Sequence, residues 1–193
     1  IENTPGHPED GTRQVAFSRH LYVEADDFLE EPVPKYKRLY PGGPECRLKG
    51  AYLITCTGCT KDAEGNITEI LCTYDPDSRG GDPADGRKVK GATIHWVDAL
   101  TAIDAEVRLY ENIVKDDEEV RNEDGSWNLN PNSLTVLKNC KLEQNFKGVK
   151  PSDSFQFMRH GYFCVDTKDS AEDRLVFNRI VSLKSSFKLN SIK

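Results

Sequence analysis

The residues best suited to chemistry lie in one run, Phe155-Gln156-Phe157-Met158-Arg159-His160-Gly161-Tyr162-Phe163-Cys164-Val165-Asp166. Gln156 offers amide donors and a carbonyl acceptor, and Arg159 offers a planar fork of five donors. Such groups read the exposed edge of an unpaired base. Phe155 and Phe157 flank Gln156, and Phe163 and Val165 repeat the alternation after Gly161, so the run predicts a β-hairpin with one face in a core. A regular strand sends Gln156 and Arg159 to opposite faces. For both to act on one ligand the chain must turn or bulge between Met158 and Gly161, which a glycine permits. From these residues alone, a solvated polar edge on the hairpin is the plainer alternative.

Two further stretches place cations among apolar groups. Tyr36-Lys37-Arg38-Leu39-Tyr40 interleaves basic and aromatic side chains, the pattern of single-strand binding surfaces. In Cys46–Ile54, read as one strand, Arg47 and Lys49 share a face opposite Leu48. The net charge of -6 argues against indiscriminate coating of nucleic acid. It leaves room for a local basic face, because charges more than about 8 Å apart are largely screened at physiological salt.

Other chemistries find little support. There is no GxSxG, HExxH or GxGxxG pattern, and His7, His20, His95 and His160 lie in unrelated contexts, so no catalytic residue is assigned. Cys56-Thr57-Gly58-Cys59 has the spacing of a zinc knuckle or a redox pair, but no second CxxC or histidine pair follows, and its surroundings alternate like a strand. No metal site is expected. The scattered Cys46, Cys72, Cys140 and Cys164 fit reduced thiols in a cytoplasmic setting better than a disulfide framework. The loop Gly80–Lys88 has glycines at phosphate-loop separation, but Arg87-Lys88 stands where Lys-Ser/Thr is needed, and Asp82 and Asp85 repel a phosphate. A structured surface loop is expected there.

The elements that must carry these residues are short. Glycine and proline number 14 and 10 in 193 residues and are spread throughout, which favours strands and turns over long helices. The fold class expected is all-β, two small barrels or sandwiches with little helix. Residues 1–12 read as an irregular lead-in, 13–112 as the first barrel and 113–193 as the second, with the final strands free to return to the first. Within them, Gln14–Phe17, His20–Glu24, Cys46–Ile54, Lys88–Val97 and Ala102–Tyr110 read as strands, and acidic residues 115–133 as a connection. No apolar run approaches the ~18 residues of a membrane span and no signal peptide opens the chain. A first residue that is Ile and a single Met suggest a piece of a longer polypeptide.

Lys61-Asp-Ala-Glu-Gly-Asn-Ile-Thr68, Cys72-Thr-Tyr-Asp75, Asp82-Pro-Ala-Asp-Gly-Arg-Lys-Val-Lys-Gly91 with Ile94-His-Trp96, and Phe155-Gln-Phe157 with Arg159 and Gly161–Cys164 give the chain a specific likeness. Over about residues 12 to 187 it resembles the C-terminal anticodon-binding part of the glutaminyl-tRNA synthetases, class I aminoacyl-tRNA synthetases. The resemblance implies a pair of β-barrels similar to ribosomal protein L25, in agreement with the strand count. It implies the anticodon stem-loop of tRNA(Gln) as partner, an N-terminal catalytic domain in cis that attaches glutamine using ATP with Mg, no cofactor in this piece, and a monomer. It also implies roles: Gln156 and Arg159 on the middle uracil, Lys37 and Arg38 on the third base, a guanine, and Arg47 and Lys49 on the first base and nearby backbone. Lys49 and Gly50 depart from bacterial relatives that have Arg and Asn there, and a lysine is a point charge rather than a fork. The alternatives are a eukaryotic or archaeal type glutamyl-tRNA synthetase, which shares the barrels, or an L25-like β-barrel module for RNA or protein, since fold does not fix function.

Overall fold

The structure, a computed structural model, describes residues 1–114 and 119–183. The chain divides into two units, Ile1–Thr101 and Ala102–Lys193. The division falls earlier than the expected boundary at 112, because the strand over 103–110 finds its partners late in the chain rather than among the first unit's strands. The class is all-β: apart from two 3-10 turns, Ala25–Asp27 and Gln144–Phe146, the regular elements among the described residues are strands.

In the first unit, β1 (Glu2–Thr4) and β2 (His7–Thr12) pair antiparallel, correcting the irregular lead-in expected for residues 1–12. Pro5-Gly6 forms the turn, with Gly6 at φ 80°, and Pro8 is tolerated because each strand of a two-stranded ribbon has an unpaired edge. Gln14–Phe17, expected as a strand, runs without ladder bonds; β3 (Leu21–Val23) follows it. The run Cys46–Ile54 is not one strand. Gly50 at φ 68° turns the chain, Ala51 N–H donates to Leu48 O at 3.0 Å, and a hairpin of β4 (Cys46–Leu48) and β5 (Leu53–Lys61) results. β5 pairs along its length with β6 (Ile67–Asp75) through the turn at Asp62–Asn66. Lys88–Val97 likewise splits, into β7 (Thr93–Ile94) and β8 (Trp96–Asp98), and β8 pairs with β3. The larger sheet runs β6-β5-β4-β7, over a core of Phe28, Leu39, Leu48, Ile54, Ile94 and Trp96.

The second unit is a five-stranded sheet ordered β10-β9-β13-β12-β11, from β9 (Ile103–Tyr110), β10 (Leu134–Leu142), β11 (Ser154–Phe157), β12 (Gly161–Val165) and β13 (Leu175–Ser182). β9 and β13 run parallel at its centre. Among the described residues the ladders form open sheets. The last described strand, β13, belongs to this unit; any return of the chain end to the first unit falls in residues 184–193, outside the described residues, as do residues 115–118 of the acidic connection. Val107, Phe163, Val165, Leu175 and Phe177 make the core, with Phe146, Phe155 and Phe157 packed on it.

Candidate nucleic-acid interface

The hairpin β11–β12 is built as its alternation requires. Phe155 pairs with Phe163, Gln156 with Tyr162 and Phe157 with Gly161. The phenylalanines face inward: Phe157 stacks on Phe163 at 4.4 Å between centroids, and Phe155 meets Phe146 edge-on at 4.8 Å. Gln156 is therefore turned out and exposed, and its amide has no hydrogen-bond partner among the described residues. Met158–His160 make a three-residue turn, closed by His160 N–H donating to Phe157 O at 3.0 Å, with Arg159 at φ 67°. This is the turn that the pairing of Gln156 with Arg159 demanded. It lifts Arg159 out of the strand alternation and leaves it exposed at the tip, three residues from Gln156.

Gly161 makes the turn possible for a reason beyond flexibility. A Cβ there would lie 2.2 Å from Val181 O of β13, at φ 145°. Only glycine lets β12 begin against β13 at that point. Tyr162, 45 % exposed, stands directly across from Gln156, and Val181 lies across from Tyr162 in turn. The outer face thus carries an amide beside an aromatic ring, the combination that hydrogen-bonds one base and stacks another. Sequence reasoning passed over Tyr162, although its position between inward-facing Gly161 and Phe163 marks it as outward.

In the first unit the stretch 36–40 is held by backbone bonds on both sides. Leu39 N–H donates to Asp27 O at 2.9 Å, and Ala92 N–H to Lys37 O at 2.7 Å. Ala92 O in turn accepts from Arg47 N–H at 3.0 Å, so Lys37 and β4 are tied through one residue. Tyr36 and Tyr40 have ring centroids 6.2 Å apart, and the Tyr36 hydroxyl donates to Asp26 O, with burial raising it above the ordinary tyrosine value. Lys37 and Lys49 have no ion-pair partner among the described residues. Lys49 is fixed by its backbone: its N–H donates to Ile94 O, and its carbonyl accepts the Trp96 indole N–H at 3.0 Å.

The two arginines are held by side-chain bonds. Arg38 Nη1 lies 3.0 Å from Asp27 Oδ1 as an ion pair and donates to Asp26 O at 3.2 Å; the Asp27 side chain is fully buried, while that of Arg38 is 38 % exposed. Nε and Nη2 of Arg38 have no partner among the described residues. A buried carboxylate therefore orients a guanidinium whose remaining edge is open, and the sequence gives no sign which of Asp26 and Asp27 does this. Arg47 is more fully engaged. Its Nε donates to Gly81 O, its Nη2 to Asp82 Oδ1 at 2.9 Å, and its methylenes lie where a Cβ on Gly81 would stand. The loop 80–88 is thus a structural clasp. Arg87 binds Glu45 with both ends of its fork and reaches Asp75 and Asp85, holding the Asp75 carboxyl below the ordinary aspartate range. With Gly81 O and both aspartates committed to arginines, the loop does not fit a nucleotide phosphate.

So the structure brings Gln156 and Arg159 together on one hairpin of the second unit. It brings Lys37, Arg38, Arg47 and Lys49 onto neighbouring segments of the first. Among the described residues no cluster of three metal-ligating side chains occurs.

Residues 1–75 and residues 93–166 each match a family described as tRNA synthetases class I (E and Q), anti-codon binding domain. The chain is 52 % identical over 191 residues to the glutamine–tRNA ligase of Clostridium kluyveri, covering 98 % of the chain and 34 % of that protein. It is 54 % identical over 190 residues to that of Clostridium perfringens, with the same coverage. Against that of Pseudomonas putida it is 48 % identical over 188 residues, covering 95 % of the chain and 33 % of that protein. The chain spans about a third of the length of the curated relatives it matches.

Proposed function

We propose, because this chain belongs to the anticodon-binding family of the class I tRNA synthetases for glutamate and glutamine, that it is the anticodon-reading region of a glutamine–tRNA ligase. Its partner is the anticodon stem-loop of tRNA(Gln). Attachment of glutamine with ATP and Mg belongs to a catalytic domain in the remaining two thirds of the ligase, joined in cis, and this region alone is inactive. The whole acts as a monomer in the cytoplasm. Within the region, Gln156 and Arg159 read the middle base, Lys37 and Arg38 the third, and Arg47 and Lys49 the first base and the adjoining backbone.

The observation that carries this reading is the Gln156–Arg159 hairpin. The exposed amide of Gln156 and the guanidinium of Arg159 at the hairpin tip, beside an exposed tyrosine, match the edge and the face of a splayed base. Lys37 and the open edge of Arg38 suit a guanine, whose O6 and N7 accept a bidentate donor. Arg47, clasped by Gly81 and Asp82, suits a supporting part in which Lys49 meets the phosphate. The test is a fluorescence titration of the chain with a glutamine anticodon stem-loop, repeated with the third base changed from G to C and with the middle base changed. Loss of binding on each change supports the reading. Equal, salt-sensitive binding to all three stem-loops leaves a general RNA-binding module, and salt-independent behaviour argues against phosphate contacts altogether.

A further inference from the structure

The sequence draws the eye to Cys56 and Cys59, but the fold gives Cys56 a different neighbour. Cys56 on β5 and Cys72 on β6 are direct cross-strand partners, while the Cys56 thiol donates to Gly58 O at 3.6 Å. The pair is of the close kind. Cys56 O accepts from Gly42 N–H at 3.1 Å, on the side of β5 away from β6, so Cys56 and Cys72 do not exchange ladder bonds. Such pairs have Cα atoms about 4.5 Å apart, within the roughly 4.4–6.8 Å over which a disulfide forms without backbone movement. Cys59 lies beyond a bulge at Cys56/Gly58 and faces Ile70 instead. Cys46, the other core thiol, is turned to Lys37 O and Pro44 O.

We propose that Cys56 and Cys72 are an oxidative modification site, joined as a cross-strand disulfide by exchange with a small-molecule disulfide. Cys72 is the entry point, since it is exposed while Cys56 is buried. Its thiolate attacks one sulfur of the oxidant and expels the first small thiolate, which takes up the proton that Cys72 lost. The Cys56 thiolate then attacks the Cys72 sulfur of the mixed disulfide and expels the second, which takes up the proton from Cys56. Two protein thiols are oxidised and one small disulfide is reduced to two thiols. Burial raises the Cys56 thiol above the ordinary thiol value. The thiolate fraction, and with it the rate of closing the link, therefore rises steeply with pH between 7 and 9.

The experiment uses the whole 193-residue chain and oxidised glutathione, with alkylation of remaining thiols, intact mass measurement and peptide mapping at pH 7, 8 and 9. The expected product lacks two hydrogens, retains four alkylatable thiols and yields one linked peptide pair containing Cys56 and Cys72. Cys59→Ser forms the same link at the same rate, and Cys72→Ser forms none. A Cys56–Cys59 link, a glutathione adduct that persists on Cys72, or no link after exhaustive oxidation at pH 9 each overturns the proposal. Because the register and not RNA binding carries it, the outcome is independent of the anticodon reading.

Discussion

Truncating Arg38 to alanine should lower the melting temperature of the first unit before any effect on RNA is considered. The Asp27 side chain is fully buried, and the Arg38 guanidinium 3.0 Å away is the cation set against it. Removing one partner of a fully buried pair costs about 3–5 kcal/mol, and losing a hydrogen bond to a charged group about 1.5–3. Arg38 is itself more than a third exposed, so water enters the vacated space, and Asp27 keeps a further interaction. The lower range applies, about 2–3 kcal/mol. For a domain of about 100 residues each kcal/mol moves the midpoint by roughly 4–8 °C, so a fall of about 10–20 °C is expected. Calorimetry on the parent, Arg38→Ala, Asp27→Leu and the double Arg38→Met/Asp27→Leu would measure it. The double variant should recover much of the loss, since a well-packed apolar pair replaces a buried ion pair at little cost. A midpoint for Arg38→Ala within about 2 °C of the parent would refute the anchoring argument, and binding by that variant could then be compared directly with the parent's.

Arg159→Ala should cost about 1–3 kcal/mol of discrimination at the middle anticodon base, measured by titration of the folded variant with matched and mismatched stem-loops; unchanged discrimination would reject a base contact. Gly161→Ala should destabilise the second unit by about 3 kcal/mol, seen as a lower urea midpoint, because its Cβ meets Val181 O at 2.2 Å in a backbone conformation unsuited to side chains. Asp166 is held at about 2, chiefly by the Asp169 N–H and then by Asn178 and Lys168 N–H. A depressed carboxylate contributes stability that is complete above its unfolded value near 3.9 and is lost as pH falls through about 2, so the second unit's midpoint should drop between pH 4 and 2, with Asp166→Asn flattening that drop.

The hairpin was legible because its evidence is local. Period-two alternation either side of a glycine fixes which residues face the core, and with them the outward place of Gln156. What escaped was set by partners far along the chain. The alternation of Ile103–Tyr110 announces a strand, yet it pairs in parallel with β13, some seventy residues later, and no local signal names that partner. Gly50 was visible as a residue, but the apolar run around it masked the turn that splits β4 from β5. Among the site residues the types were readable and the anchoring was not. Asp27 differs from Asp26 only in burial, and the clasp of Gly81 and Asp82 on Arg47 joins positions more than thirty residues apart.

The unequal anchoring of the four cations in the first unit has a kinetic consequence. Lys37 and Lys49 have no ion-pair partner among the described residues, so on the proposed reading they would attract an anionic loop from a distance without being held in place for it. Arg38 and Arg47 are already immobilised by Asp27 and Asp82, so they lose little rotamer freedom in a complex. On the proposed anticodon reading, the lysines would govern how often an encounter succeeds and the arginine edge how long the complex lasts. Added salt should slow arrival far more than it hastens departure.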